Sequence, residues 1–248
     1  MPNIKLTIEY AGTNYHGWQY QPGVPTIQGI VQMALQTTLR APITLKGAAR
    51  TDAGVHALGQ VATCMTPGPV DCRRLRRALN AVLPDDIAIR EVVEVPDTFH
   101  ARHSASGRIY RYQIIEGEPV SPFLAAYAAH CRWSLDTAAM DEAARALIGR
   151  HDFSSFRASG DRSDSPVKEI RASHVERTGE RGDVIVYTVE GSSFLQHMVR
   201  TIAGTLVEVG RGRFAPSRMP LILEARDRRC AGPTAAAKGL CLMKVLYD

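Results

Sequence analysis

The segment Gly47-Ala48-Ala49-Arg50-Thr51-Asp52-Ala53-Gly54-Val55-His56 contains the residues best suited to chemistry. A carboxylate fixed on a short loop can act as a nucleophile or as a general base. Gly54 permits a positive φ, and the small side chains around Asp52 let another part of the chain approach closely. The pattern indicates that Asp52 is presented at a cleft. An ordinary Asx-turn in a tight connection explains the same spacing.

A cation and an aromatic pair occur further along the chain. In the predicted helix from about 194 to 209, an apolar stripe turns Arg200 away from the core, towards a cleft or towards water. Tyr110 and Tyr112 point the same way on a predicted strand, where ordinary sheet packing also accounts for them.

Short strand-like segments alternate with amphipathic helices, and several strands follow one another without room for a crossover helix. The sequence therefore predicts an α+β fold with largely antiparallel sheets flanked by helices. Strands are predicted near residues 3–10, 42–48, 58–65, 87–95, 106–115, 168–177, 183–191 and 240–247. One helix is predicted to begin after Thr26, and another to be capped by Ser134.

The charge balance favours an anionic partner. The 248 residues include 30 Lys and Arg against 25 Asp and Glu, which gives a formal charge of +5. Arg73 and Arg77 share one face of a predicted helix, where they either contact phosphate or are simply solvated. The five cysteines show no Cys-x-x-Cys spacing, so we expect no zinc site, no disulfides and a cytoplasmic protein. No apolar run is long enough for a membrane span.

The segment Arg50-Thr51-Asp52-Ala53-Gly54-Val55-His56-Ala57 resembles the signature of the tRNA pseudouridine synthase A family. Segments similar to the family pattern recur in order along nearly the whole chain. They are Tyr15-His16-Gly17-Trp18-Gln19-Tyr20-Gln21, Leu83-Pro84-Asp85-Asp86-Ile87, Phe99-His100-Ala101-Arg102, Tyr110-Arg111-Tyr112, Asp152-Phe153-Ser154-Ser155-Phe156, Phe194-Leu195-Gln196-His197-Met198-Val199-Arg200 and Gly239-Leu240-Cys241-Leu242.

The resemblance implies a fold, a reaction and a set of partners. It implies two similar halves around a central catalytic cleft, which we place at residues 1–104 and 105–248. It also implies isomerisation of uridine to pseudouridine at positions 38, 39 and 40 of the tRNA anticodon stem-loop. The enzyme is then expected to be a homodimer that needs no metal and no organic cofactor.

The resemblance also assigns roles to three residues, and the position of Arg50 two residues before Asp52 gives it a role as a fourth. Asp52 is the expected nucleophile, and Arg200 its ion-pairing partner, since a nearby cation favours the charged carboxylate. Tyr110 is expected to stack on the extruded uracil, with Tyr112 as the alternative, and its phenol is a candidate to help remove the C5 proton. Arg50 fits a phosphate contact or the space that the flipped base vacates, and a structural salt bridge competes with both.

Three other functions remain open on the sequence. They are an RNA-binding module that has lost catalysis, a hydrolase with an aspartate nucleophile, and a pseudouridine synthase for a different RNA. The retention of Asp52, Arg200 and Tyr110 together argues against the first. The chain offers neither a phosphate cradle nor an acidic metal-binding cluster for the second.

Overall fold

The computed structural model describes residues 1–161, 163–179 and 182–248 and divides into two compact units. The first unit comprises Met1–Ser106 together with Leu242–Asp248, and the second comprises Gly107–Cys241. The C-terminal residues therefore return to the unit in which the chain begins.

Both units combine strands with helices. The strands of the described residues are β1 (Asn3–Tyr10), β2 (Lys46–Gly47), β3 (His56–Met65), β4 (Ile87–Val95), β5 (Ala105–Glu116), β6 (Ala129–Cys131), β7 (Gly149–Asp152), β8 (Val167–Thr178), β9 (Val184–Gly191) and β10 (Leu240–Tyr247). The α-helices are α1 (Ile27–Leu39), α2 (Cys72–Asn80), α3 (Thr137–Arg145), α4 (Met198–Gly210) and α5 (Arg218–Ala225). Most strand pairs are antiparallel, so the predicted α+β class is confirmed.

In the first unit, β1 lies between β3 and β4 and pairs antiparallel with both. β3 pairs in addition with the short β2 and with β10. Alternate residues of β1, namely Ile4, Leu6 and Ile8, are completely buried, as expected for a strand with one face in the core. α2 packs on β4 and buries Leu75 and Leu79.

In the second unit, β9 lies between β5 and β8 and is antiparallel to both. β7 pairs antiparallel with the other edge of β8, and β6 pairs parallel with β5. α3 packs against β8 and α4. α4 is almost wholly buried, so its side chains are fixed by packing rather than exposed to solvent.

The strand predicted at residues 42–48 is wrong except for Lys46–Gly47. Glutamine side chains of α1 take the place of a neighbouring strand for this segment. Gln32 Oε1 accepts from the Leu45 amide at 3.0 Å, and Gln28 Nε2 donates to the Leu45 carbonyl at 2.8 Å. The amide and carbonyl of Leu45, which a neighbouring strand would pair, are therefore already satisfied.

Two helix starts are also corrected. Asp136, not Ser134, caps α3, because its Oδ1 accepts from the Ala139 amide at 3.0 Å. α4 begins at Met198 rather than near residue 194, because His197 adopts a left-handed φ of 62° that a helix cannot include. β6, β7 and α5 were not predicted, and all three are short.

No helix among the residues that the structure describes is long and apolar enough to cross a membrane.

Candidate active site

Asp52 lies in the first unit, on the loop between β2 and β3, and is half-buried. The loop turns at this residue: the Val55 amide donates to the Asp52 carbonyl at 3.1 Å, and Gly54 has a φ of 77°. A side chain at position 54 would be strained in this conformation. Glycine therefore sets the turn that places Asp52.

The backbone on both sides of Asp52 is tied to the segment between β1 and α1. The Gly54 amide donates to the Tyr15 carbonyl at 3.3 Å, and the Trp18 amide donates to the Thr51 carbonyl at 3.0 Å. The Thr51 hydroxyl lies 2.7 Å from the Tyr10 hydroxyl, and both side chains are buried. Asp52 is thus carried on a fixed loop rather than a free one.

Gly17 and Trp18 of the segment Tyr15–Gln21 both pack closely against the chain around the Asp52 loop. A Cβ atom on Gly17 would lie 2.5 Å from the Thr51 carbonyl oxygen, and the φ of Gly17 is +85°. Trp18 is 1% exposed, and its Nε1 would lie 2.3 Å from a Cβ on Gly47. Trp18 therefore anchors the loop from inside the unit.

Gln60 is a supporting residue that sequence reasoning missed. Its side chain is fully buried in β3, where Nε2 donates to the Ala49 carbonyl at 2.7 Å. Its Oε1 accepts from the Ala49 amide at 3.2 Å and from the Val61 amide at 3.1 Å. One amide side chain thus clamps the backbone at the entrance to the Asp52 loop. The available signal was a glutamine flanked by the apolar residues of a predicted strand.

Asp86 supports the same loop from the Leu83–Ile87 segment. The Tyr15 hydroxyl donates to Asp86 Oδ1, and Asn14 Nδ2 donates to Asp86 Oδ2 at 3.3 Å. Burial and the neighbouring Asp86 carboxylate raise the pKa of Tyr15, so the phenol stays a protonated donor. Because the Tyr15 carbonyl accepts from Gly54, Asp86 acts on the turn through Tyr15.

Arg50 lies on the same loop, two residues before Asp52, and its side chain is exposed. Arg73 and Arg77 are also exposed on α2, as their predicted helix face required.

Tyr110 lies in the second unit, on β5 opposite Val189 of β9. It is 7% exposed, and the Phe194 ring meets it edge-to-face with centroids 5.1 Å apart and planes at 82°. Phe194 belongs to the segment that precedes α4. The aromatic contact fixes the orientation of the Tyr110 ring.

Tyr112 is completely buried, and its hydroxyl donates to the Ala236 carbonyl at 2.8 Å. Burial raises the pKa of Tyr112, and the positive charge of Arg200 acts in the opposite direction. Tyr112 therefore has a packing role of its own, beside Arg200.

Arg200 occupies the first turn of α4 and is half-buried. Its Nε donates to the Ala235 carbonyl at 2.9 Å, and the Ala235 amide donates back to the Arg200 carbonyl at 3.0 Å. These two hydrogen bonds fix the backbone and the Nε atom of Arg200 against residues 232–236. We call these residues the strap.

The strap is held on α4 by small residues that the sequence analysis did not single out. A Cβ atom on Gly204 would lie 1.8 Å from the Pro233 carbonyl oxygen. The Gly232 amide donates to the Thr205 hydroxyl at 2.9 Å, and the Thr201 and Thr234 hydroxyls lie 3.3 Å apart. Any larger residue at 204 would displace the strap and with it the partner of Arg200.

The expected site residues thus form two local groups. Asp52 and Arg50 share the fixed loop of the first unit, while Tyr110, Tyr112 and Arg200 lie in the second unit. The ion pair between Asp52 and Arg200 stays a prediction. Among the described residues, no group of three or more His, Cys, Asp or Glu side chains is arranged to hold a metal ion.

Comparison with known proteins identifies the family. A family model described as tRNA pseudouridine synthase matches residues 6–104 and 143–248. A Moorella thermoacetica protein named tRNA pseudouridine synthase A is 47% identical over 250 residues, covering 100% of both chains. The Geobacter sulfurreducens protein of that name is 44% identical over 247 residues, again covering 100% of both chains. The Myxococcus xanthus protein of that name is 44% identical, covering 100% of this chain and 92% of its own.

Likeness to solved structures is slight. A chain of a Cbf5-Nop10-Gar1 complex aligns with 96% of this chain and 57% of its own, at 9% identity and a TM-score of 0.36. The relatives matched by sequence are much more similar, and the matches extend over the Asp52 loop, the Tyr110 strand and α4. On these matches, the chain belongs to the tRNA pseudouridine synthase family.

Proposed function

We propose that this chain isomerises uridine to pseudouridine at positions 38, 39 and 40 of the tRNA anticodon stem-loop, with Asp52 as the nucleophile. The observation that carries the proposal is the fixed loop of Asp52 within the family signature. Asp52 is half-buried, and the backbone on both sides of it is hydrogen-bonded to Tyr15 and Trp18 of another family-like segment. A nucleophile held in place avoids the entropic cost of being positioned during reaction.

The reaction exchanges one bond of ribose C1′ for another. The bond from C1′ to uracil N1 breaks, the base turns over, and a bond from C1′ to C5 forms. C5 then loses its proton and N1 gains one, so no electrons leave the nucleoside. The Asp52 carboxylate attacks either the base or the ribose, and both routes need it ionised and fixed.

Tyr110 is the proposed platform for the extruded base. A uridine in a folded RNA must leave its stack to be reached, and aromatic rings commonly hold such a base. Phe194 orients the Tyr110 ring, which keeps 7% of its surface exposed, whereas Tyr112 is completely buried. These features favour Tyr110 over Tyr112 for the substrate and leave Tyr112 a structural role.

Arg200 is proposed to keep Asp52 ionised in a site that loses water on RNA binding. The hydrogen bond from Arg200 Nε to the strap supports this role, because α4 and the strap together fix the position of the guanidinium group. The pairing with Asp52 follows from the family resemblance. Arg50, exposed on the Asp52 loop, is proposed to contact the RNA backbone or to occupy the space left by the flipped base.

The family resemblance also supports a homodimer that works in the cytoplasm, with functional halves at residues 1–104 and 105–248. The charge of +5 suits an RNA substrate. Light scattering of the purified chain tests the dimer, for which a monomer mass would be the contrary result.

The experiment that tests the function uses an unmodified tRNA transcript with uridine at positions 38, 39 and 40. The transcript is incubated with the chain, and pseudouridine is mapped along the RNA. Conversion confined to these positions is expected. Tight binding without conversion would favour an RNA-binding module, and conversion at other positions or only in another RNA would show a different specificity.

A further inference from the structure

A cavity of about 440 Å³ lies in the second unit, between the end of α4 and α5. Two arginines, Arg213 and Arg218, line it together with Phe214, Ser217 and Leu221, and no acidic residue is among its lining residues. Tyr110, Arg200 and the strap are not among the residues that line it. Its volume is within the range of roughly 300–1,000 Å³ found for small-ligand sites.

Each of the two arginines contacts another side chain of this region. Arg213 Nη1 lies 3.2 Å from Glu208 Oε2, and the Arg218 guanidinium carbon lies 4.1 Å from the centre of the Phe214 ring. Both side chains are nevertheless exposed. These contacts direct the two guanidinium groups while leaving both of them accessible to an anionic ligand.

Glu208 does not neutralise this region. Its other carboxylate oxygen, Oε1, lies 3.1 Å from Arg211 Nη1, so one negative charge serves two arginines. Arg211 in turn lies 3.5 Å above the centre of the Trp133 ring, which is 48% exposed. The surface therefore keeps a positive charge and joins it to aromatic faces.

The cavity also has an apolar wall. Leu221 is 61% exposed on α5, whereas the next residue, Ile222, is buried. Phosphate-binding arginines beside apolar and aromatic surface match the two parts of a nucleotide. Unpaired bases stack on such surfaces while cations follow the backbone.

We propose that this cavity binds a nucleotide of the tRNA other than the uridine that is isomerised. Arg213 and Arg218 bind the phosphate, and Phe214 and Leu221 receive the base. The inference rests on the proposed function, because it takes tRNA as the substrate.

The binding test replaces both cavity arginines, as Arg213→Gln with Arg218→Gln. The matched control is Arg145→Gln with Arg171→Gln, two arginines of the same unit that also pair with carboxylates, those of Asp141 and Glu190. Both double variants lose the same charge. The dissociation constant for unmodified tRNA is measured over a range of salt concentrations, together with kcat at saturating tRNA.

The cavity variant is expected to bind tRNA at least about fivefold more weakly than the control, with a salt slope lower by about one to two. Its kcat at saturation is expected to stay within about twofold of wild type, because the cavity holds no catalytic group. Equal tRNA affinity of the two double variants would overturn the inference. So would a changed oligomer mass with unchanged tRNA affinity, because the cavity would then join protein chains.

Photocrosslinking tests the contact between the cavity and tRNA directly, without relying on a loss of tRNA affinity. A photoreactive benzoylphenylalanine is placed by Leu221→p-benzoylphenylalanine, with the equivalent substitution at Ile148, 45% exposed in the same unit, as control. Crosslinks from position 221 to tRNA nucleotides outside 38–40 are expected, and their absence would contradict the inference. Wild type that neither binds nor converts tRNA would instead overturn the proposed function.

Discussion

Replacement of Gln60 by leucine tests how the nucleophile loop is positioned. Leucine has nearly the same size, so Gln60→Leu removes hydrogen bonds without opening a large cavity. The substitution leaves the amide and the carbonyl of Ala49 without a hydrogen-bond partner. In the unsubstituted protein, Gln60 Oε1 lies 3.2 Å from the Ala49 amide nitrogen, and Gln60 Nε2 lies 2.7 Å from the Ala49 carbonyl oxygen. Each unsatisfied buried backbone group costs about 1–3 kcal/mol. Because Ala49 is only half-buried, we expect a total loss of about 2–4 kcal/mol in unfolding free energy.

The activity effect separates positioning from stability. Asp52 follows Ala49 by three residues, and small misplacements of a reacting group cost up to about 100-fold in rate. We therefore expect kcat of Gln60→Leu to fall at least about tenfold at a temperature where the variant remains folded. Urea unfolding measures the stability change, and single-turnover conversion of tRNA measures the rate.

Gln36→Leu is the matched control, because Gln36 Nε2 donates to the Ile43 carbonyl at 3.1 Å in the same unit but outside the Asp52 loop. It is expected to lose about 1 kcal/mol and to keep its kcat. The reasoning is refuted if Gln60→Leu is no less stable than this control, or if the two variants convert tRNA equally fast.

Substitutions at three further places, namely α2, Arg200 and Tyr110, test the remaining assignments. Arg73→Ala with Arg77→Ala should lower the salt slope of tRNA binding by about one per lost phosphate contact, and an unchanged slope would mark α2 as a solvated face. Arg200→Gln should reduce kcat about 100-fold with little change in tRNA affinity, and Arg200→Lys should retain more activity because it keeps the charge. An equal loss of kcat in the two variants would show that the positive charge at position 200 is not what supports catalysis. Tyr110→Leu should weaken tRNA binding by about 1–3 kcal/mol, whereas Tyr110→Phe keeps the ring and should bind normally. A kcat loss in Tyr110→Phe would then measure the phenol's part in proton removal.

Local sequence rules were sufficient where neighbours in the chain determine the structure. Thr26 caps α1, as predicted, by accepting a hydrogen bond from the Gly29 amide, and the alternating pattern of β1 places its apolar residues in the core. The turn at Gly54 follows from the same kind of rule. These features depend on residues within a few positions of one another.

Other features depend on partners that the sequence does not place side by side. Gln60 acts on Ala49 across a strand and a loop, and the segment at residues 42–48 is not a strand because α1 supplies its hydrogen-bond partners. Gly204 is required by the strap, whose Pro233 lies 29 positions later in the chain. Long-range contacts of this kind override local propensity, so they cannot be deduced from periodicity alone.

The central claim is that Asp52 is the nucleophile of a tRNA uridine isomerisation, and one substitution tests it most directly. Asp52→Asn keeps the shape of the side chain but loses its charge and nucleophilicity. Single-turnover conversion of unmodified tRNA is measured for wild type and variant, with tRNA affinity measured in parallel. We predict that the variant forms no pseudouridine at positions 38–40. Its affinity for tRNA is expected to stay within about threefold of that of the wild type. A conversion rate within about tenfold of wild type would contradict the account.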